Sequence, residues 1–164
     1  MTDDRLKAAL DMAREAGDLA QSMRDSPTEL KTSTKGPMDL VTSADHAVET
    51  LLRARIQVFE PSVAILGEEG GFEGKGQSIW ILDPIDGTVN FSRGMPDWAI
   101  SIACSDGNSI THGVIHAPDL NLTAWAIKGS GCFINGHQIT FDNAASPSPI
   151  VALGYSTRST RAEY

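Results

Sequence analysis

At Pro61 the hydrophobic period of this chain changes, and that change limits the folds open to it. From Asp3 to Arg24 the residues Leu6, Ala9, Leu10, Ala13, Ala16, Ala20 and Met23 recur at three- and four-residue steps, one stripe of an amphipathic helix. Thr2 can cap this helix, Asp3 and Asp4 suit the positive end of its dipole, and Ser26-Pro27 stops it. A second helix is predicted from Thr42-Ser43, with Ala44, Val48, Leu51, Leu52, Ile56 and Phe59 on one face, ending at Pro61. Between the helices, Thr28 to Asp39 has no apolar period and reads as a mobile loop carrying Lys31 and Lys35. After Pro61 the apolar runs are short and strand-like: 63–66, 79–82, 99–104, 110–116 and 122–127. Asn135-Gly136, set between Cys132-Phe133-Ile134 and Gln138-Ile139-Thr140, signals a hairpin whose two turn residues both need positive φ. Helices first and strands afterwards predict an α+β fold, with two N-terminal helices packed on one face of an antiparallel sheet. At 164 residues the chain is read as a single domain, 1–164, with one sizeable core.

Charge narrows the partners. Thirteen Lys and Arg face 21 Asp and Glu, a formal charge of -8, with no basic run. A nucleic-acid backbone or an anionic membrane surface would be repelled, so no nucleic acid and no membrane is expected as a partner. No stretch approaches the ~18 apolar residues of a membrane span, and Met1-Thr2-Asp3-Asp4 lacks the layout of a signal peptide, so a cytoplasmic place is expected. Cys104 and Cys132 fit no disulfide or zinc pattern and read as small core residues. His112 and His116 lie in a strand-like run, where four residues span ~13 Å and cannot share an ion. His46 and His137 read as surface residues, and Trp98 and Trp125 as core or interface.

The chemistry concentrates between Gly67 and Phe91. Gly67-Glu68-Glu69-Gly70-Gly71 follows one strand, and Trp80-Ile81-Leu82-Asp83-Pro84-Ile85-Asp86-Gly87-Thr88-Val89-Asn90-Phe91 ends the next. Pro84 fixes φ and removes a donor, so the chain turns and Asp83, Asp86 and the Ile85 carbonyl can face one point. Carboxylates crowded in this way repel unless protons or cations intervene, and hard oxygen donors favour Mg²⁺, Mn²⁺ or Ca²⁺ over zinc. If a helix starts at Gly87-Thr88, its free amides would aim at an anion beside those ions. On spacing alone, a plain Asp-Gly surface turn stays open as the other reading.

These segments resemble motifs of the inositol monophosphatase family, Mg²⁺-dependent and lithium-sensitive phosphomonoesterases. Lys35-Gly36-Pro37-Met38-Asp39-Leu40-Val41-Thr42-Ser43-Ala44-Asp45 and Lys128-Gly129-Ser130-Gly131-Cys132-Phe133-Ile134-Asn135-Gly136 are similar to two further segments of that family, in the expected order. The resemblance implies the N-terminal half of the sugar-phosphatase fold shared with fructose-1,6-bisphosphatases. A C-terminal α/β half, with a Trp-Asp motif, would be absent, since nothing after Tyr155 resembles it. It further implies that Glu68, Asp83 and the Ile85 carbonyl hold one Mg²⁺ and that Asp83 and Asp86 share a second. Thr88, held by Asp45, would orient the attacking water with Glu68 nearby, the Gly87 and Thr88 amides would bind phosphate, and Lys35 could fold over it. Mn²⁺ or Ca²⁺ would substitute in binding and Li⁺ would inhibit. The implied substrate is a small phosphorylated polyol or sugar, with inositol monophosphate ahead of histidinol phosphate, fructose bisphosphate and bisphosphonucleotides, and the implied assembly is a homodimer. The rival expectation is a truncated protein that binds metal or phosphate without catalysis.

Overall fold

A computed structural model of the chain describes residues 3–26, 31–36 and 39–140. Helix α1 (Asp4–Asp25) and helix α2 (Ser43–Phe59) pack on one face of an eight-stranded sheet. The strands are β3 (Ala64–Gly67), β4 (Gly71–Glu73), β5 (Ile79–Asp86), β6 (Ala99–Ser105), β7 (Ile110–Ala117), β8 (Leu122–Ile127), β9 (Gly131–Ile134) and β10 (His137–Ile139). They lie in the order β10-β9-β8-β7-β6-β5-β3-β4. A five-residue helix α3 (Thr88–Ser92) follows β5.

The predicted apolar stripe of α1 is what it buries: Leu6, Ala9, Met12, Ala13, Ala16 and Ala20 meet the sheet, and Leu10 and Met23 flank them. Small residues let the helix sit low. A Cβ placed on Gly17 would lie 2.7 Å from the Pro118 ring and 2.9 Å from His116, so no larger residue fits there without moving the strand end. On α2, Val48, Leu52 and Ile56 are fully buried against Ile65, Trp80 and Leu82. The Trp80 Nε1–H donates to Glu60 at 3.2 Å, and Glu60 pairs with Arg5 at 2.5 Å, so the one polar atom of this core tryptophan is satisfied.

The α+β class and the helical layer agree with expectation, while the sheet differs from it at one pair. β5 through β10 form antiparallel neighbours, with Asn135 and Gly136 at φ 47° and 86° in the β9–β10 turn, yet β3 and β5 run parallel. The cause is β4, three residues that fold back on the outer edge of β3 and return the chain to the end where β3 began. β5 then enters beside β3 in the same direction.

Three local expectations are also corrected. The loop reading of 28–39 gives way to an antiparallel hairpin of β1 (Thr32–Gly36) and β2 (Asp39–Thr42), held by backbone pairing that needs no apolar period. Asp3 caps α1, accepting from the Arg5 and Leu6 amides at 3.0 and 3.1 Å; Thr2 lies outside the described residues. Cys104 is buried, which pushes its thiol up to about 12, but Cys132 is only half-buried on β9. His112 and His116 are satisfied separately, His112 by Asp3 and Thr111 and His116 by Thr123, each at 2.9 Å.

A partly buried polar knot ties α1 to the far end of the sheet. Asp119 accepts from Arg24 at 2.6 and 3.0 Å, from Gln21 at 2.7 Å and from the Trp98 indole at 2.7 Å. Arg24 also lies over the rings of Phe91 and Trp98. The Arg24 guanidinium, opposed by burial and helped by Trp98 and Gln21, holds the Asp119 carboxyl well below the usual carboxylate range. A depressed folded-state pKa adds stability that is complete above the unfolded value of about 4 and is lost as pH falls below it. Asp119→Asn is therefore expected to cost about 2–4 kcal/mol at pH 7 in urea unfolding, with the gap to wild type narrowing towards pH 2.5. A gap constant over that range contradicts the assignment.

Candidate active site

Parallel pairing brings two acids together at one edge of the molecule. Gly67 of β3 is in register with Leu82 of β5, so Glu68, just past the end of β3, comes beside Asp83 of β5. Asp83 is partly buried, and its Oδ1 is fully buried without a hydrogen-bond partner among the described residues. Burial first, then the charges of Glu68 and Asp86, with the Glu68 carboxyl in hydrogen-bonding reach and Asp45 beyond, raise the Asp83 carboxyl to about 7. With that oxygen shielded from solvent and no donor to it among the described residues, its surroundings favour a cation or a proton.

The turn that carries Asp86 follows from Pro84. β5 and β6 pair from Ile79↔Ser105 to Asp83↔Ser101 and resume at Asp86↔Ala99, leaving one extra residue in β5. Pro84 sits in this bulge, where its missing N–H leaves no gap in the ladder. Gly87 then takes φ 89°, and a Cβ there would stand 2.8 Å from the Asp97 carbonyl oxygen, so glycine suits both the backbone conformation and the space. α3 begins at once, with the Phe91 amide donating to the Gly87 carbonyl at 3.0 Å.

Asp45 links this turn to α2. Its Oδ2 accepts from the Thr42 amide at 2.8 Å and the Thr42 hydroxyl at 2.6 Å, closing a capping box at the helix start. Its Oδ1 stands 3.1 Å from the Thr88 hydroxyl, which is also 3.0 Å from the Ile85 carbonyl oxygen. One hydroxyl proton serves one of these acceptors at a time. An open cleft of about 360 Å³ lies beside the turn, lined by Asp86, Gly87, Asn90, Asp97, Trp98 and Leu120.

The sequence reading named Glu68, Asp83, Ile85, Asp86, Gly87, Thr88 and Asp45, and these residues lie on the adjoining ends of β3, β5, α3 and α2. Lys35 falls in β1, and its side chain lies outside the described residues. One residue was missed. Glu49, 2% exposed on α2, accepts from the Glu69 amide at 2.7 Å, the Gly70 amide at 2.8 Å and Arg53 Nε at 2.8 Å. Its signal was available: Glu49, like Asp45, falls on the apolar face of α2, where an unneeded carboxylate would be costly. Among the described residues no set of three His, Cys, Asp or Glu side chains is already arranged to hold a metal ion. The donor chemistry fits a hard divalent cation all the same, because the carboxylates of Glu68, Asp83 and Asp86 repel one another and one buried oxygen is unpaired.

The chain matches the inositol monophosphatase family over residues 1–163. It is 41% identical to a fructose-1,6-bisphosphatase/inositol-1-monophosphatase of Thermotoga maritima, over 87% of this chain and 55% of that protein. It is 38% identical to a histidinol-phosphatase of Streptomyces coelicolor, over 85% of this chain and 53% of that protein. The solved Thermotoga maritima inositol monophosphatase superposes with a TM-score of 0.80 at 38% identity, over 88% of this chain and 56% of that one. The chain thus spans about half the length of the relatives it matches.

The Asp45 contacts set up a contrast in stability. Asp45→Ala leaves the buried Thr42 amide without its acceptor and should cost about 1–3 kcal/mol, a fall in Tm of roughly 3–10 °C. Thr88→Val, at a half-exposed hydroxyl, should move Tm by no more than about 2 °C. Equal Tm values for the two variants in a thermal melt would refute the asymmetry.

Proposed function

The chain belongs to the inositol monophosphatase family, and from that premise we propose that it acts in the hydrolysis of small phosphate monoesters with bound divalent cations, Mg²⁺ first. The observation that carries this reading is the buried, unpartnered oxygen of Asp83 between the charges of Glu68 and Asp86. Glu68, Asp83 and the Ile85 carbonyl would hold one ion, and Asp83 and Asp86 a second. When bound, such ions neutralise phosphate charge and make a water a better nucleophile near neutral pH.

The chain's own groups have definite parts in this. With the Ile85 carbonyl engaged, the Thr88 hydroxyl gives its proton to Asp45, and its oxygen is then free to accept from a water. Asp45 is held by two donors from Thr42, so the hydroxyl is aimed before substrate arrives. Glu68 would stand near that water. The Gly87 and Thr88 amides and the cleft beside Asp86 would receive the phosphoryl group and the alcohol. Phosphoryl transfer depends chiefly on positioning and charge neutralisation, so no protein nucleophile is required.

Relatives named as acting on fructose bisphosphate, inositol monophosphate and histidinol phosphate point to a phosphorylated polyol or sugar, with inositol monophosphate first. The homodimer belongs to the same proposal. One observation favours a second reading, a metal- or phosphate-binding protein without turnover: no ready-made set of three ligands stands among the described residues. Phosphate release from inositol monophosphate, histidinol phosphate and fructose bisphosphate separates the two. We expect turnover that requires Mg²⁺, stops in excess chelator and falls at least ~100-fold in a folded Asp86→Asn variant. Mg²⁺ binding by calorimetry without any phosphate release establishes the second reading, and full activity in chelator overturns the metal chemistry.

A further inference from the structure

Glu68 follows Gly67 at the end of β3; its own side chain is exposed, with its carboxyl in hydrogen-bonding reach of Asp83. Its backbone, by contrast, is gripped from beneath. The Glu49 carboxylate spends both oxygens on the loop after Glu68, Oε2 on the Glu69 amide and Oε1 on the Gly70 amide, while Arg53 Nε holds Oε1 from the other side. Arg53 then reaches past Glu49 to the loop itself, donating to the Gly71 carbonyl at 2.6 Å and to Glu73 at 3.2 Å. Glu49 and Arg53 stand one helical turn apart on α2, so both grips come from one rigid element.

The loop is shaped to admit this carboxylate. A Cβ on Gly67 would lie 2.3 Å from Glu49 Oε1 and 2.4 Å from its Cδ, and one on Gly70 would lie 2.8 Å from the same oxygen. Neither glycine has a positive φ, so their part here is to leave room. A buried charge is retained at a cost unless it is fully paired, and this one is paired with two amides of the turn after β3 and with Arg53 of its own helix. The Glu49–Arg53 pair lies beneath the loop and bonds to the backbone of residues 69–71.

We propose that Glu49, locked by Arg53, is the positioning residue for Glu68: it freezes the 67–71 backbone so that the Glu68 carboxylate is presented to a divalent cation already aimed. This rests on the metal-dependent reading above and names a residue outside its ligand set. A residue that orients a ligand changes metal affinity more than it changes the rate once metal is bound, and loss of such supports typically costs about 10- to 100-fold in affinity.

The test compares the full chain with Glu49→Gln, in which the amide offers one acceptor where the carboxylate offers two, and with Arg53→Lys, which keeps a cation beside Glu49 but loses the fork to Gly71. Three measurements are needed: Mg²⁺ affinity by calorimetry without substrate, amide hydrogen exchange at Glu69 and Gly70, and kcat at saturating Mg²⁺. We expect Glu49→Gln to weaken Mg²⁺ binding by about tenfold or more, Arg53→Lys by roughly threefold, and exchange at both amides to quicken, with kcat at saturation within about threefold of wild type. Unchanged Mg²⁺ affinity in folded Glu49→Gln with quickened exchange overturns the proposal and leaves Glu49 a purely structural residue. If Glu49→Gln does not fold, Arg53→Lys decides alone, and unchanged affinity there has the same force. Wild-type chain that binds no Mg²⁺ removes the metal reading itself, an outcome told apart because it appears before any substitution is made.

Discussion

Repulsion among the carboxylates of Glu68, Asp83 and Asp86 is the constraint around which this end of the molecule is organised. Bringing like charges together is unfavourable, so the fold must impose it by other interactions, and the parallel pairing of β3 with β5 does so. Backbone hydrogen bonds and the burial of Ile65, Trp80 and Leu82 hold the two strands in register. The acids are carried along at their tips. An arrangement that is costly when empty becomes favourable when a cation arrives, because the repulsion turns into shared attraction.

The supports of the site come from one helix. α2 provides Asp45 at its first turn and Glu49 and Arg53 one and two turns later; Asp45 points at one loop, Glu49 and Arg53 at another. Asp45 reaches the turn after β5, and Glu49 reaches the turn after β3. A helix buried along Val48, Leu52 and Ile56 is a stiff platform, so the spacing between these two loops is set by the helical rise rather than by the loops themselves. The α1 layer contributes indirectly: the Arg24–Asp119–Trp98 knot holds Trp98 against Phe91 of α3, with ring centroids 4.9 Å apart.

Much of this was legible before any coordinates. Both long helices, the central strands and the Asn135-Gly136 turn follow from periodicity and turn chemistry, since each is dictated by residues close together in the chain. Asp83, Asp86 and Gly87 stood out through the family resemblance of their segment, because spacing alone left a plain Asp-Gly surface turn open. The parallel β3–β5 pair was not, because three residues of β4 reverse the chain and no local signal distinguishes that from a loop. The β1–β2 hairpin is held by backbone pairing of Thr32, Ser33 and Thr34 with their partners, which leaves no required period in the sequence. The position of Glu49 on the apolar face of α2 marked it, but its partners are backbone amides some twenty residues away, so its task was not legible.

The central claim is that the tips of β3 and β5 form one cage for hard divalent cations. Anomalous diffraction from crystals grown with Mn²⁺ addresses it directly, since Mn²⁺ accepts the same oxygen donors as Mg²⁺ and scatters strongly enough to be located. The account requires anomalous density flanked by Glu68, Asp83 and the Ile85 carbonyl, with a second peak between Asp83 and Asp86 as the ion concentration rises. Crystals in Mn²⁺ with no peak at Asp83, or with the Glu68 carboxylate turned away from a peak that Asp83 and Asp86 hold alone, would contradict it.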